Sequence, residues 1–166
     1  PIYSDDLAIE NSLTGSVYHS FGDNIVLSAN YFLKTINSLE DNVRVSKRVF
    51  VPSKRLRGFE SGKIGPKDGT QYIGGNYASA LNLSSTFPNV IFEKENIDLN
   101  FFIDMANVWE VDYNSSLDSS RIRSSTGIAI NWFSGIGPLS FSYAIPLSEA
   151  DSDVTEKFRF QIGTSF

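Results

Sequence analysis

The chain has a single histidine, His19, and this bounds the catalysis it could carry. A Ser-His-Asp triad, or a metal site of the usual His-containing kinds, would have to use it. His19 falls near the end of a predicted strand beside Phe21, and the adjacent Ser20 is too close in sequence to serve as its nucleophile, so His19 is read as an interfacial or structural residue. Asp98 and Asp104 share one face of a predicted strand, six residues apart. At the rise of a strand that is ~20 Å, too far for paired acid–base work. Asp151 and Asp153 read as a solvated acidic loop, capable at most of weak Ca²⁺ binding, and Glu93-Lys94-Glu95 as a solvated charge run at a turn. No catalytic residue, metal site or cofactor is therefore expected, and the chain is not read as an enzyme.

The stretch with chemistry in it is Lys54-Arg55-Leu56-Arg57-Gly58-Phe59, followed by Ile64-Gly65-Pro66-Lys67-Asp68-Gly69 and closed by Gly74-Gly75-Asn76. Arg57 offers a planar, permanently charged donor fork suited to a carboxylate or carbonyl. Gly58 permits a tight turn after it, so that the guanidinium and the Phe59 ring leave one tip in different directions. Gly62, Gly65, Pro66, Gly69, Gly74 and Gly75 add bends without bulk, as a loop folded into a confined space requires. The competing reading is a basic, glycine-rich solvent loop. Long loops cost ordering entropy and are uncommon in compact β proteins, so one of roughly residues 35–75 points to function.

The elements that would carry this loop are strands. Leu7, Ile9, Leu13 and Val17 alternate with polar residues from Leu7 to Tyr18; Gly22-Asp23-Asn24 is a turn; Ile25, Leu27, Ala29, Tyr31 and Leu33 form one face of a second strand to Lys34. Inside the loop, Val43 to Val51 suggests a short strand excursion. Alternation resumes with Ser79, Leu81 and Leu83, and again with Ile97, Leu99, Phe101, Ile103 and Met105 opposite Asp98, Asn100, Phe102 and Asp104. A further strand sets Ile122, Ser124, Thr126, Ile128, Ile130 and Trp132 against Arg123, Ser125, Gly127, Ala129 and Asn131. Leu139, Phe141, Tyr143 and Ile145 follow after a turn at Gly135 to Pro138, and the last strand sets Phe158, Phe160, Ile162, Thr164 and Phe166 against Arg159, Gln161 and Gly163.

This makes seven strands of nine to twelve residues, joined by connections that alternate short (22–24, 86–96, 133–138) and long (35–75, 109–121, 146–156). Strands of a soluble sandwich are commonly near five or six residues, whereas ~10-residue strands with small polar inner faces are characteristic of a transmembrane barrel. Trp109, Trp132, Tyr143 and Phe166 fall near predicted strand ends, as interfacial girdles do. No stretch approaches the ~20 apolar residues of a membrane helix. No signal peptide opens the chain, which suits a mature or excised piece. The net charge of -5 disfavours nucleic acid as a partner. A soluble β-sandwich or β-rich binding module remains the alternative from pattern alone.

The motifs resemble the BamA family of outer-membrane barrel assembly proteins. Leu56-Arg57-Gly58-Phe59 is similar to the family's loop motif, and Ile64 to Lys67, Gly74-Gly75-Asn76, Asp104 to Trp109, Ile122 to Trp132, Gly137 to Ala144, Gly163 and Phe166 match in order. The resemblance is clear over about residues 45–166 and rests on pattern alone in the first two strands. It implies an all-β, antiparallel transmembrane barrel of about sixteen strands, of which this chain is the C-terminal portion, roughly seven strands with one long lumen-inserted loop. Residues 1–166 would then be one barrel piece, without the POTRA domains and first strands, and unable to work alone because of its two open edges.

The same resemblance implies residence in the bacterial outer membrane and a role in folding and inserting β-barrel proteins without covalent chemistry. Its implied partners are outer-membrane lipids, nascent outer-membrane β-barrel proteins, accessory assembly lipoproteins and periplasmic chaperones. Arg57 is expected to reach Asp104 in the lumen, and the strand of Phe158, Phe160, Ile162, Gly163 and Phe166 to form an openable seam. Three departures stand out: Ala106 where the family usually has Gly, Ser84 where it often has Glu, and Gly135 at a turn that commonly carries Pro after Ser. Without that Glu, Arg57 would depend more on Asp104. The rival within the same superfamily is the two-partner secretion transporter, which usually has Tyr where Phe59 stands. By face, Leu27, Tyr31, Leu81, Leu99, Phe101, Ile103, Ile128, Phe141, Tyr143 and Phe160 are expected to meet lipid, and an Arg at Ser125 or Ser140 to cost little.

Overall fold

The computed structural model describes residues 7–89, 96–118, 121–135 and 137–163. Eleven strands run in chain order: β1 (Ala8–Phe21), β2 (Ile25–Ser38), β3 (Gly58–Phe59), β4 (Lys67–Asp68), β5 (Gln71–Tyr72), β6 (Tyr77–Phe87), β7 (Ile97–Trp109), β8 (Arg123–Ser134), β9 (Gly137–Ser148), β10 (Thr155–Glu156) and β11 (Phe158–Ile162). Seven of them form one antiparallel sheet in the order β1-β2-β6-β7-β8-β9-β11, so each long strand pairs with its predecessor among the long ones. That meander is open, with β1 and β11 at its edges.

Period-two alternation decides the faces. Leu27, Tyr31, Phe101, Ile103, Ile128, Phe141, Tyr143 and Phe160 are exposed on one face, as alternation predicts for residues meeting lipid. The other face carries Ala78, Ala80, Asn82, Asp104, Ser125 and Ser142, all buried. Connections 22–24, 88–96 and 135–136 gather at one end of the sheet and 39–76, 110–122 and 149–157 at the other; 88–96 and 149–157 are equal in length, but the two longest, 39–76 and 110–122, share one end, the asymmetry of outer-membrane barrels. Outward-facing aromatics stand at both ends. Tyr77 packs on Trp109 at 5.8 Å beside the long connections, and Phe87 packs on Phe101 at 5.7 Å near the short ones. Trp109 and Trp132 thus fall where expected. Tyr143 does not, for it pairs with Ile128 in mid-sheet. Alternation fixes a side chain's face but not its height. Phe166, Thr164, Ser165 and the charge run Glu93-Lys94-Glu95 lie outside the described residues.

Several boundaries move. β2 runs on to Ser38, because Lys34 and Thr35 still pair with Ala78 and Tyr77 on β6, so the long loop begins at residue 39. Residues Val43 to Val51 form no strand. They contain a 3₁₀ turn at Val45–Lys47 and a single bridge, Val49 to Gly75. Their apolar spacing serves burial instead: Val43, Val49, Val51, Leu56, Phe59 and Ile64 form a cluster with Phe32, Ile36, Ala78, Ala80, Ala106 and Val108 of the sheet. The loop is thus no solvent loop but a second layer whose apolar residues share one core with the sheet. The small Ala78, Ala80 and Ala106 make room for it, and each large apolar side chain so buried stabilises by ~1.5–3 kcal/mol.

Candidate functional site at the loop tip

Asp104 lies on the loop-bearing face of β7, five residues before the strand ends at Trp109, so the tip that meets it has travelled ~17 Å down the sheet from the long-loop end. Its carboxylate is fully buried. It accepts from Arg57 Nε at 2.7 Å, from Arg57 Nη2 at 2.8 Å and from the Arg57 backbone N–H at 3.0 Å. A fourth hydrogen bond comes from Asn82 Nδ2 at 2.9 Å. The Arg57 guanidinium also stacks 3.4 Å above the Phe102 ring. Phe102 in turn covers Gly127, where a Cβ would come within 2.8 Å of its ring and 2.0 Å of the Tyr143 carbonyl. A buried carboxylate so fully hydrogen-bonded needs no further cation. Ser84, at the family's Glu position, instead shares a 2.7 Å hydrogen bond with Ser28.

The tip backbone is held in a regular way. The carbonyls of Ser53, Arg55, Arg57 and Phe59, every second residue, each accept from a side chain of the sheet: Arg159 at 2.5 Å, Asn82 at 2.7 Å, Ser125 Oγ at 2.5 Å and Arg159 again. The segment is a 3₁₀ turn at Ser53–Arg55 and a strand only at Gly58–Phe59, and the sheet supplies a donor for each of these carbonyls. Gly58 sits among them with φ +90, and a Cβ there would lie 3.1 Å from Ala144 Cβ and 3.2 Å from Ser125 Cβ. Phe59 is 2% exposed. Gly58 and Phe59 form β3, which pairs with Glu156 and Thr155 of β10.

Loop closure is equally specific. Gly75 bridges Val49, and a Cβ on it would meet the Trp109 carbonyl at 2.2 Å. The adjoining Gly74 has φ +69. Asn76 is buried and accepts from Arg48 Nη1 at 3.1 Å while donating to Asp112 Oδ2 at 3.1 Å. Arg48 also pairs with Asp112, which accepts from the Val43 N–H at 2.7 Å. Partial burial pushes the Asp112 carboxyl upward, but the bonds from Val43, Asn76 and Arg48 and the Arg48 charge outweigh it and hold the group below its ordinary range. Gly62 and Gly69, by contrast, have nothing within 4 Å, so they do not serve a confined path.

Two expectations fail here for the same reason. Asp153 is no solvated acid: its side chain is 0% exposed and pairs with an equally buried Arg123 at 2.9 and 3.1 Å, while accepting from the Ala150 N–H at 2.7 Å. Ser125 is no roomy lumen position: it is 0% exposed beneath the loop tip. Arg48, Asn82, Asp112, Arg123 and Arg159 were missed as site residues. The signal was present for Arg123 and Arg159, since an arginine on the inward face of a strand must find a partner. On the short-turn side of the tip lies a polar cavity of about 290 Å³ lined by Arg57, Asn82, Ser84, Asn100, Asn131 and Ser140, among others. Gly163 leaves β11 with φ +109 and donates to the Pro138 carbonyl at 2.8 Å.

Membrane-length antiparallel strands, an apolar outer face, aromatic ends and a loop folded onto the polar face define a section of a bacterial outer-membrane β-barrel. The chain belongs to the Omp85 superfamily, whose domain it matches over residues 2–166, the first two strands included. It is 32% identical over 139 residues to the outer membrane protein assembly factor BamA of Neisseria meningitidis, covering 67% of this chain and 17% of that protein. It is 27% identical over 176 residues to BamA of Nitratidesulfovibrio vulgaris, covering 100% of this chain and 21% of that protein. The crystal structure of BamA from Haemophilus ducreyi lacking POTRA domains 1-3 superposes with a TM-score of 0.85 at 29% identity, over 96% of this chain and 35% of that one. The chain thus spans about a fifth of the curated relatives it matches, and the resemblance to the BamA family holds.

Proposed function

We propose that these residues are the C-terminal part of the barrel of an outer-membrane protein assembly factor, which folds and inserts other β-barrel proteins without covalent chemistry. The observation that carries this is the seating of Arg57 on the buried Asp104, in a sheet whose terminal strand has a free edge. In the closed barrel the loop-bearing face is the lumen, and loop 39–76 lies within it. The apolar cluster holds the loop; the ion pair, worth ~1.5–3 kcal/mol where water is excluded, sets the position of its tip. Arg57 with Leu56, Gly58 and Phe59 is the functional motif, Asp104 its partner, and Gly74, Gly75 and Asn76 its closure.

Strand β11, with Phe158, Phe160 and Ile162, closes the barrel against a strand from elsewhere in the parent. Backbone hydrogen bonding at that edge would receive a client strand with no requirement beyond alternation. Clients are nascent outer-membrane β-barrel proteins. Outer-membrane lipids bathe the apolar face, and accessory lipoproteins and periplasmic chaperones deliver and assist. In cells depleted of the parent protein, Arg57→Ala and Asp104→Ala should each impair client insertion while the barrel still migrates as folded. The double variant should be little worse than either single, because both remove one contact. Full insertion activity in both singles would remove the motif from the mechanism.

A further inference from the structure

Among the described residues, β11 has the shortest ladder of the main sheet. It pairs with β9 over the five residues Phe158–Ile162, whereas every other neighbouring pair matches ten or more. Backbone pairing alone therefore holds this edge weakly. Its inward side chain, Arg159, is 10% exposed and faces the loop. The guanidinium donates to the Ser53 carbonyl at 2.5 Å, to the Phe59 carbonyl, and through Nε to Glu156 Oε2 at 2.9 Å. Ser53 and Phe59 bracket the segment that carries Arg57, so one side chain of the edge strand grips both ends of the tip. Only a planar fork with several donors does this; a lysine at the same place offers one compact cation.

The stitching continues upstream of β11. Glu60 donates to the Val154 carbonyl at 2.8 Å, Val154 to the Lys63 carbonyl at 3.1 Å, and β10 pairs with β3. The tip thus stands between Asp104 on β7 and Arg159 on β11, and displacing it from one alters its contact with the other.

We propose that Arg159 is a positioning residue that couples the loop tip to the free edge of the sheet: with Arg57 seated on Asp104, Arg159 holds β11 in place, and lifting the tip loosens that strand. Its consequence for client insertion rests on the assembly reading above, but the coupling itself needs no client. The test is amide hydrogen exchange in the full-length parent protein in nanodiscs, without client, comparing residues 158–162 with β1, which pairs only with β2 and does not touch the tip. Arg57→Ala should speed exchange at 158–162 about tenfold. In an Arg159→Gln background, where exchange there is already fast, Arg57→Ala should add less than about twofold. β1 should not change in either.

If the two effects multiply, Arg159 is merely structural and the coupling is overturned; if Arg57→Ala leaves 158–162 unchanged, it is likewise overturned. Arg159→Lys, which keeps the charge and loses the fork, should behave as Arg159→Gln does. Should neither Arg159 variant fold, the Arg57→Ala effect in the otherwise native chain decides: faster exchange at 158–162 with β1 silent supports the coupling, and silence at 158–162 ends it. Client insertion is measured separately. An Arg57→Ala protein that loosens β11 yet inserts clients normally would refute the assembly reading and leave the coupling standing.

Discussion

Asn82 stands directly opposite Asp104 in the β6–β7 ladder, and its one amide nitrogen donates both to that carboxylate at 2.9 Å and to the Arg55 carbonyl at 2.7 Å. Neighbouring strand and incoming loop are thus joined through a single side chain. Asn82→Ala leaves the Arg55 carbonyl and one Asp104 oxygen short of a donor, at a cost of ~1–3 kcal/mol. Asn82→Asp should be worse, since it removes the same donors and sets a second carboxylate beside a buried one. Hydrogen exchange at residues 55–59 measures both, and an Asn82→Asp protein as well protected as the native one would refute the role.

The Arg123–Asp153 pair is withdrawn from solvent on both sides, and Arg123 also donates to Asn107 at 2.8 Å. Asp153→Ala strands a buried guanidinium and should destabilise the 149–157 connection by ~3–5 kcal/mol. The double replacement Arg123→Met, Asp153→Leu should recover most of that loss, because no charge is then left unpaired. Urea titration of the refolded parent protein reads the difference. A double variant as unstable as Asp153→Ala would show that the pair does more than compensate its own burial.

The two faces of the sheet, and two heights on one face, differ in what they tolerate. Leu99→Arg places a charge toward lipid, at ~2–4 kcal/mol if near midplane. Ser140, half-buried and bonded to Asn131 at 2.8 Å, borders the polar cavity, so Ser140→Arg should be mild. Ser125→Arg should be at least as damaging as Leu99→Arg despite its inward face, for Ser125 is sealed under Gly58 and its hydroxyl holds the Arg57 carbonyl. Folded yield in the outer membrane ranks the three. Equal yields for Ser125→Arg and Ser140→Arg would contradict the packing at the tip.

Asp112 gives the base of the loop a dependence on pH. Its folded-state carboxyl titrates below the ordinary 3.8, so the stability it contributes is present above the unfolded value and is lost as pH falls through the depressed one. Acidification below that range should release the Val43 N–H and the Arg48 contact. Exchange at the Val43 amide, taken relative to the intrinsic rate at each pH and followed from neutral pH downward, should rise there in the native chain. In Asp112→Asn it should be fast already at neutral pH and lack that rise.

Alternation alone determined the all-β class and the assignment of faces, because period-two burial is written in residue order and a strand has only two sides. Asp104 was legible as an inward-facing residue of its strand, whereas the Leu56-Arg57-Gly58-Phe59 motif lies in a segment without period, and its pairing with Asp104 was an expectation of the family resemblance. What stood at which height was not legible. Tyr143 in mid-sheet, Ser125 sealed beneath Gly58 and Asp153 buried against Arg123 each depend on where a loop distant in sequence comes to rest. That placement follows from fitting Val49, Val51, Leu56, Phe59 and Ile64 onto the small side chains of Ala78, Ala80 and Ala106, an apolar match without periodicity. Only the tertiary structure could therefore decide that the loop has a core, that its alternate carbonyls are met one by one from the sheet, and that Arg159 reaches them from the edge strand.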